Sequence, residues 1–217
     1  MLEVHSFPLG DFQTNCHILQ NPTTKEIVVV DPGEEPEEIL AFLKRIGGKV
    51  VEIWNTHGHI DHINANKPVA DATGAPISIH ELEAEWLQSA TLNLGAFVNY
   101  PFIASQASRL WKGGDELEAL GVKWKVYHSP GHSPGLCAIV SAEEKLMIGG
   151  DLLFRGSIGR YDFPGSSAAQ MTASLRALFN DWGKDDWKVL SGHGDETTVG
   201  YERKTNMLVR EALTRGL

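Results

Sequence analysis

The stretch from Thr56 to His62 contains the residues best suited to chemistry in this sequence. It reads Thr-His-Gly-His-Ile-Asp-His, so three imidazoles and one carboxylate lie within six residues. On an extended backbone the alternating His57 and His59 point to the same side and can aim at one point, while Asp61 and His62 can turn toward a second point nearby. A polar loop that binds nothing is the alternative. Histidines clustered in this way instead indicate a metal site, and the spacing predicts two ions.

Three further candidate ligands each follow a predicted strand. They are His132, Asp151 and His193, after strands predicted to end at Tyr127, Ile148 and Leu190. Glycines beside each of them let the backbone turn sharply and approach a crowded centre. Since His57 also follows a predicted strand, four strand ends could meet at one edge.

The elements that must position these residues are short strands and amphipathic helices. The predicted strands are Leu2 to Phe7, Cys16 to Leu19, Ile27 to Val30, Val50 to Trp54, Ile77 to Ile79, Leu117 to Leu120, Val122 to Tyr127, Leu136 to Val140, Lys145 to Ile148 and Lys188 to Leu190. The predicted helices are Glu35 to Ile46, a segment closing at Pro68 to Ala72, Glu81 to Leu94, Ser167 to Phe179 and Tyr201 to Thr214, and Gly95 to Lys112 has no assigned element. Strands in antiparallel runs, then interleaved with helices in each half, predict two packed sheets with helices outside.

Composition limits the classes of protein. With 217 residues, 42% apolar and 22% charged, the chain can bury a sizeable core, and we expect a single domain over residues 1–217. The formal net charge of -9, without a basic run, argues against nucleic-acid and anionic-membrane partners. The longest aliphatic run, Ile27 to Val30, has the length of a strand, and we expect a soluble cytoplasmic protein. Cys16 and Cys137 are far apart, so reduced, partly buried thiols are expected.

This set of motifs resembles the metallo-β-lactamase-fold hydrolase superfamily over essentially the whole chain. The resemblance implies an α/β (α+β) fold, the four-layer αββα sandwich. It also implies two divalent metal ions, with zinc expected and iron or manganese as alternatives. On this resemblance the ligands are His57, His59 and His132 for the first ion, Asp61, His62 and His193 for the second, and Asp151 as the bridge between them. The best-known subclass of true β-lactamases carries Arg where this chain has His62 and Cys where it has Asp151.

The segment from Gly150 to Pro164 is similar to single-domain bacterial type II glyoxalases, which are hydroxyacylglutathione hydrolase-like thioesterases. The resemblance implies hydrolysis of a small-molecule thioester, an S-(2-hydroxyacyl)glutathione such as S-lactoylglutathione. Arg160 lies where longer members of the family place a Lys for the glutathione carboxylates, and Tyr161 is next to it. Both are therefore candidate substrate-binding residues, with a surface salt bridge as the alternative for Arg160.

The expected chemistry follows from charge. Two divalent ions bring about four positive charges, and Asp61, Asp151 and a hydroxide offset about three of them. The remaining charge suits the oxyanion formed by attack on a thioester carbonyl, and a thiolate leaves readily because its pKa is about 8.5. Asp61 and Asp151 are thus the candidate catalytic residues, and Asp61 can also guide the nucleophile.

Three alternatives stay open. Persulfide dioxygenases share most of the motif set but bind one iron at the positions of His57, His132 and Asp151, and they usually show Cys-Gly-Arg-Thr-Asp where this chain has Ile-Gly-Arg-Tyr-Asp from Ile158 to Asp162. A lactonase is chemically close, since esters and thioesters invite the same attack. A non-catalytic metal-binding protein would keep the ligands without turnover.

Polar residues outside the motif are predicted to be structural. Asp31 is assigned to a turn with Pro32 and Gly33, in preference to orienting a ligand histidine. The histidines predicted to be hydrogen-bonded structural residues are His5, His17, His80 and His128.

Overall fold

The computed structural model describes every residue from Met1 to Leu217. Its contacts divide the chain into two compact units, residues 1–111 with 118–122 and residues 112–117 with 123–217. Strands and helices are mixed throughout, as the sequence predicts, and each unit has its own apolar core. The single-domain organisation expected for residues 1–217 stays a prediction. None of the helices has the length and apolar character that crossing a membrane requires.

The first unit is built on a six-stranded sheet in the order β1-β2-β3-β4-β5-β6. Its strands are β1 (Glu3–Leu9), β2 (Thr14–Gln20), β3 (Glu26–Val30), β4 (Lys49–Trp54), β5 (Ile77–His80) and β6 (Arg109–Trp111). Strands β1 to β3 pair antiparallel, and β3 to β6 pair parallel. The helices are α1 (Pro36–Ile46), α2 (Ile60–Ile63) and α3 (Asn66–Thr73), and a 3-10 helix covers Glu81–Gln88.

Helix α1 illustrates how local signals shape this unit. Proline stands at its first position, acidic residues fill its first turn and basic residues its last, which suits the helix dipole. Ile39, Phe42 and Leu43 form its buried face and join the apolar core with residues of β3, such as Val29. The helix ends at Ile46, and the amide of Gly47 after it donates to the Leu43 carbonyl.

The other six-stranded sheet has the order β14-β13-β10-β9-β8-β7. The remaining strands are β7 (Glu116–Ala119), β8 (Val122–His128), β9 (Cys137–Ser141), β10 (Leu146–Gly150), β11 (Leu153–Phe154), β12 (Ser157–Ile158), β13 (Lys188–Ser191) and β14 (Thr197–Thr198). The helices are α4 (Ala168–Ala177), α5 (Val199–Thr205) and α6 (Met207–Thr214), and a π-helical turn covers Leu178–Trp182. Strands β11 and β12 form a separate two-stranded hairpin.

The direction of the strands determines where their carboxyl ends lie. Strands β10 and β13 are parallel, and β8 runs parallel to both because β9 is antiparallel to β8 and to β10. The carboxyl ends of all three strands therefore meet one edge of their sheet. In the first unit β3, β4 and β5 are likewise parallel and end at one edge.

Two predicted helices differ from the structure. The helix predicted over Glu81 to Leu94 is a 3-10 helix that ends at Gln88, because the Ser89 amide and the Asn93 side chain both donate to the Trp86 carbonyl. The helix predicted over Tyr201 to Thr214 is broken at Asn206 into α5 and α6. Asn206 has an extended backbone, and its Oδ1 accepts from the amides of the second and third residues after it, which starts a new helix. The unassigned region from Gly95 to Lys112 contains β6.

Candidate metal centre

The first cluster of candidate ligands lies in the first unit, between β4 and α2. His57 and His59 precede α2, and Asp61 and His62 lie within it. All three histidines are buried, and Asp61 is partly exposed. The Nε2 atom of His57 lies 3.1 Å from Nδ1 of His59, and Nε2 of His62 lies 3.5 Å from Oδ2 of Asp61. The loop therefore brings its nitrogen and oxygen donors together in two pairs.

Asp31 orients this loop, which corrects its assignment to a turn alone. Its carboxylate, 1% exposed, accepts from the Thr56 amide (2.7 Å), the Thr56 hydroxyl (2.6 Å) and Nδ1 of His62 (3.0 Å). Asp31 reaches these groups because it follows β3, the parallel neighbour of β4. The signal available in the sequence was an acidic residue that directly follows a predicted strand, the last strand before the one that leads into the histidines.

These hydrogen bonds fix which nitrogen His57 and His62 present. A carboxylate only accepts, so His62 carries its proton on Nδ1 and presents Nε2. Because the Thr56 hydroxyl donates to Asp31, it accepts from Nδ1 of His57, 3.1 Å away, and His57 also presents Nε2. At metal sites a carboxylate or hydroxyl that accepts from the non-ligating nitrogen of a histidine fixes its tautomer in this way.

Two other side chains and one glycine hold the same loop. Glu83 is fully buried and accepts from the Gly58 amide at 2.6 Å, and the Thr14 hydroxyl donates to Oδ2 of Asp61 at 2.7 Å. At Gly33 an added Cβ would lie 1.6 Å from the carbonyl oxygen of Asp61, so this position admits no side chain. The sequence carried no pattern that singled out Thr14 or Glu83, because both reach the loop from elements distant in the chain.

The second cluster lies in the second unit and joins three strand ends. His132, Asp151 and His193 follow β8, β10 and β13, whose carboxyl ends share one edge, as the sequence predicts. Nε2 of His132 lies 3.4 Å and Nε2 of His193 lies 3.5 Å from the same atom, Oδ2 of Asp151. One carboxylate oxygen is therefore shared by two imidazoles.

The segment from Asp151 to Arg160 surrounds this cluster. Nδ1 of His132 donates to the Arg160 carbonyl at 2.8 Å, which leaves Nε2 to face Asp151. At Gly159 an added Cβ would lie 1.9 Å from the carbonyl oxygen of Asp151. The ring of Phe154 meets the His193 ring edge-on at 5.7 Å. The role of the Arg160 main chain was missed from the sequence, since any residue type can supply a carbonyl.

The side chains of the two candidate substrate-binding residues differ in exposure. The Arg160 guanidinium is 64% exposed, donates to both carboxylate oxygens of Asp162 at 2.9 and 3.0 Å, and lies 4.3 Å from the Phe163 ring centre. This hydrogen bond lowers the pKa of Asp162 below its usual range. Tyr161 is half-buried and packs against the apolar core of the second unit.

The donor atoms of both clusters fit a transition metal. Ligand atoms about 2.0–2.1 Å from a tetrahedral zinc lie about 3.3–3.4 Å from one another. The neighbouring donor pairs within the two clusters are 3.1 to 3.5 Å apart. Imidazole nitrogens with carboxylate oxygens suit zinc or iron, whereas calcium and magnesium prefer oxygen ligands alone.

The histidines and cysteines predicted to be structural lie among structural partners. His17 bonds Ser6, and His128 bonds the Pro134 carbonyl. His80 accepts from the amide two residues ahead, and His5 packs against the Phe42 ring. Cys16 and Cys137 are free thiols, as expected, but both are fully and not partly buried, and burial raises the pKa of Cys16.

Comparison with known proteins gives a consistent result. A family model described as the metallo-beta-lactamase superfamily matches residues 9–193. The hydroxyacylglutathione hydrolase GloC of Haemophilus influenzae is 28% identical over 94% of this chain and 97% of that protein. Among solved structures, BLEG-1 B3 metallo-beta-lactamase is 34% identical with a TM-score of 0.90, over 95% of this chain and 99% of that one. TTHA1623, solved in a di-iron-bound form, is 34% identical with a TM-score of 0.83, over 94% of this chain and 98% of that one. The fold class predicted from the sequence is thereby confirmed.

Proposed function

The chain belongs to the metallo-beta-lactamase superfamily, and we propose that it is a metal-dependent thioesterase of the type II glyoxalase kind, acting on S-(2-hydroxyacyl)glutathione such as S-lactoylglutathione. The observation that carries the hydrolase proposal is the close spacing of donor atoms within each unit: imidazole and carboxylate donors lie 3.4 to 3.5 Å apart, and the two imidazoles of His57 and His59 lie 3.1 Å apart. The thioester is supported by the glyoxalase-like segment from Gly150 to Pro164 and by the 28% identity with GloC.

The ligand assignment proposed here is the one that the family resemblance implies. The first ion is assigned to His57, His59 and His132, the second to Asp61, His62 and His193, and Asp151 to both. The shared Oδ2 of Asp151, which faces His132 and His193 alike, supports its assignment to both ions. Zinc remains the expected metal, and the di-iron form of TTHA1623 supports iron as the alternative.

Bound divalent ions would polarise the substrate carbonyl and lower the pKa of a bound water toward about 7. The residues of the chain do the rest of the work. Asp31 and Thr56 keep the protons of His62 and His57 on Nδ1, so that both rings present a lone pair at Nε2. Asp61, fixed by the Thr14 hydroxyl, guides the attacking water by accepting its hydrogen bond.

Substrate recognition is assigned to Arg160, with Tyr161 beside it. The exposed guanidinium already forms a two-pronged bond with a carboxylate, Asp162, and a carboxylate of glutathione would take the place of Asp162. The thiolate product leaves without a general acid, because the pKa of a thiol is about 8.5.

A second candidate is β-lactam hydrolysis, which the 34% identity with BLEG-1 favours. The substitutions that mark the best-known subclass of β-lactamases, Arg at the position of His62 and Cys at that of Asp151, are not found here. A dioxygenase acting on persulfides and a lactonase differ from the thioesterase in the substrates that they consume, so one panel separates all four.

The test compares zinc- and iron-loaded protein on S-lactoylglutathione, a neutral thioester, a lactone, a β-lactam and glutathione persulfide. We expect free thiol from S-lactoylglutathione under anaerobic conditions with zinc, since zinc has no redox chemistry and a hydrolase needs none. We also expect no oxygen uptake with glutathione persulfide. An Asp61→Asn protein purified identically controls for contaminating esterases. Persulfide-dependent oxygen uptake with an inert thioester would replace the proposal with a dioxygenase, and turnover of the β-lactam alone would replace it with a lactamase.

A further inference from the structure

A buried carboxylate that is not itself a candidate ligand contacts the segment from Asp151 to Arg160. Glu202 lies in α5 and is fully buried, although no basic side chain pairs with it. Its carboxylate accepts from the Thr197 hydroxyl (2.5 Å), the Gly156 amide (2.9 Å) and the Asn206 side-chain amide (2.8 Å). Three donors offset the cost of burying a carboxylate, so the network is satisfied.

Asn206 extends this contact to the next residue of the hairpin. Its Nδ2, which donates to Glu202, also donates to the Ser157 carbonyl at 2.9 Å, while its Oδ1 caps α6. Two side chains at the α5–α6 junction, Glu202 and Asn206, therefore hydrogen-bond the backbone of Gly156 and Ser157 in the turn between β11 and β12. We call Glu202 and Asn206 the junction pair.

The hairpin that the junction pair holds is part of the segment from Asp151 to Arg160. That segment begins with the shared carboxylate and ends with the carbonyl that accepts from Nδ1 of His132. Its Phe154 ring lies against His193. All three candidate ligands of the second unit thus contact or belong to a segment whose middle is fixed by the junction pair.

We propose that Glu202, together with Asn206, is a positioning residue for the metal ligands of the second unit: by fixing the β11–β12 hairpin it sets the position of the Arg160 carbonyl and hence the tautomer and orientation of His132. This inference rests on the proposed metal centre. A charge as such is unnecessary for the role, since the carboxylate is needed only as an acceptor at the Gly156 amide and the Asn206 amide.

The conservative variant separates positioning from charge. In Glu202→Gln the remaining oxygen can accept from Gly156 and Asn206, and the new amide can donate to the Thr197 hydroxyl. In Glu202→Ala none of these bonds forms. A milder variant is Asn206→Ser, because serine caps a helix well but cannot reach Ser157. The matched control is Arg203→Ala, which removes bonds from the same helix to Asp185 and the Phe179 carbonyl but none to the hairpin.

The experiment measures zinc affinity with a competing chromophoric chelator and the His132 tautomer by nitrogen-15 NMR on metal-free protein. We expect Glu202→Ala and Asn206→Ser to weaken zinc binding by about 10- to 100-fold, the usual effect of losing a group that orients a ligand. In the same variants the His132 signal should change from the Nδ1-protonated form to a mixture of tautomers. Glu202→Gln should restore both readouts. Arg203→Ala should lower the melting temperature while keeping both at wild-type values.

Specific outcomes would overturn the proposal. One is unchanged zinc affinity and an unchanged His132 signal in a folded Glu202→Ala or Asn206→Ser protein. Another is an equal loss of affinity in Arg203→Ala, which would show that the effect follows stability alone. The tautomer is measured without metal or substrate, so this readout does not depend on thioester hydrolysis. A wild-type protein that hydrolyses no thioester would refute the proposed function but not the positioning role of Glu202.

Discussion

The two clusters of candidate ligands present the same kinds of donor atom but are assembled in opposite ways. In the first unit four ligands come from one short stretch, the loop after β4 and the start of α2, and other elements supply the groups that orient them. In the second unit three ligands come from three strand ends, and one short segment orients them. In one cluster the ligands are therefore close together in the sequence, and in the other the groups that orient the ligands are.

This difference predicts how each cluster responds to substitution. In the first cluster the ligands are close in the chain, so substitution of a supporting residue such as Asp31 should displace several of them at once and weaken metal binding at all of them. In the second cluster the two histidines both face the Asp151 carboxylate, so loss of that carboxylate should change the surroundings of both.

The largest effect is expected at the shared carboxylate. Asp151→Ala should lower the affinity for both metal equivalents by more than about a hundredfold, since even a group behind a ligand accounts for about 10- to 100-fold. His193→Ala should chiefly empty one site. Elemental analysis of the purified variants decides between them. Two retained equivalents in His193→Ala, or no loss in Asp151→Ala, would contradict the assignment of Asp151 to both ions.

A smaller effect is expected at the support of the first cluster. In Asp31→Asn only one oxygen remains for donors that now bond two. When that oxygen accepts from the Thr56 amide, the NH2 group faces Nδ1 of His62, so the histidine loses its fixed tautomer. We expect metal affinity to fall by about 10- to 100-fold, as much as in Asp31→Ala. Chelator competition measures the loss. The control is Glu52→Ala, which removes another buried carboxylate of the first unit, one that accepts from Ser78 and Arg109. Wild-type affinity in Asp31→Asn would mean that the turn is its main role.

A smaller effect, on one class of substrate only, is expected at Arg160, the candidate substrate contact outside the two clusters. Arg160→Ala should raise KM for glutathione thioesters by about tenfold to a hundredfold, since a charge-assisted bond contributes about 1.5–3 kcal/mol. A neutral thioester should be nearly unaffected. Asp162→Asn should lower KM, because it removes the carboxylate that competes for the guanidinium. Steady-state kinetics on both substrates test this. Equal losses on both would assign Arg160 a structural role.

The smallest effect concerns pH and lies beside the first cluster. Burial raises the pKa of Glu34, and the negative charges of Asp11 and Asp61 contribute to the same shift. A raised pKa means that the folded state binds the proton more tightly than the unfolded state, so stability falls as pH rises from about 4.3 through the raised pKa. Glu34→Gln should flatten this fall in metal-free protein. Urea unfolding across that pH range measures it, and an unchanged slope would contradict the burial of the carboxylate.

Sequence could locate the ligands more readily than the groups behind them. The loop histidines stand together, and the three distant ligands follow recognisable strands beside glycines, so their types and places reveal them. Asp31 was assigned to a turn because its second role depends on β3 lying next to β4. The Arg160 carbonyl and Glu202 escaped notice since neither has a motif.

Helix boundaries were harder to predict for a related reason. The apolar spacing from Tyr201 to Thr214 fits one helix. The helix is broken by the side chain of Asn206, which bonds the Ser157 carbonyl and the amides of Leu208 and Val209. The helix predicted after Glu81 stops early because Asn93 bonds back to it. Both differences arise from polar side chains that satisfy backbone groups, which periodicity does not reveal.

Gly33 and Gly159 bear on how freely this protein can change its sequence. Each leaves less than 2 Å between an added Cβ and the carbonyl oxygen of a candidate ligand, Asp61 in one unit and Asp151 in the other. Real Cβ atoms do not approach so closely, so even alanine would displace the ligand backbone. In a complete mutational scan selected for activity, these two positions should therefore tolerate substitution as poorly as the ligands themselves, although neither glycine supplies any reacting group.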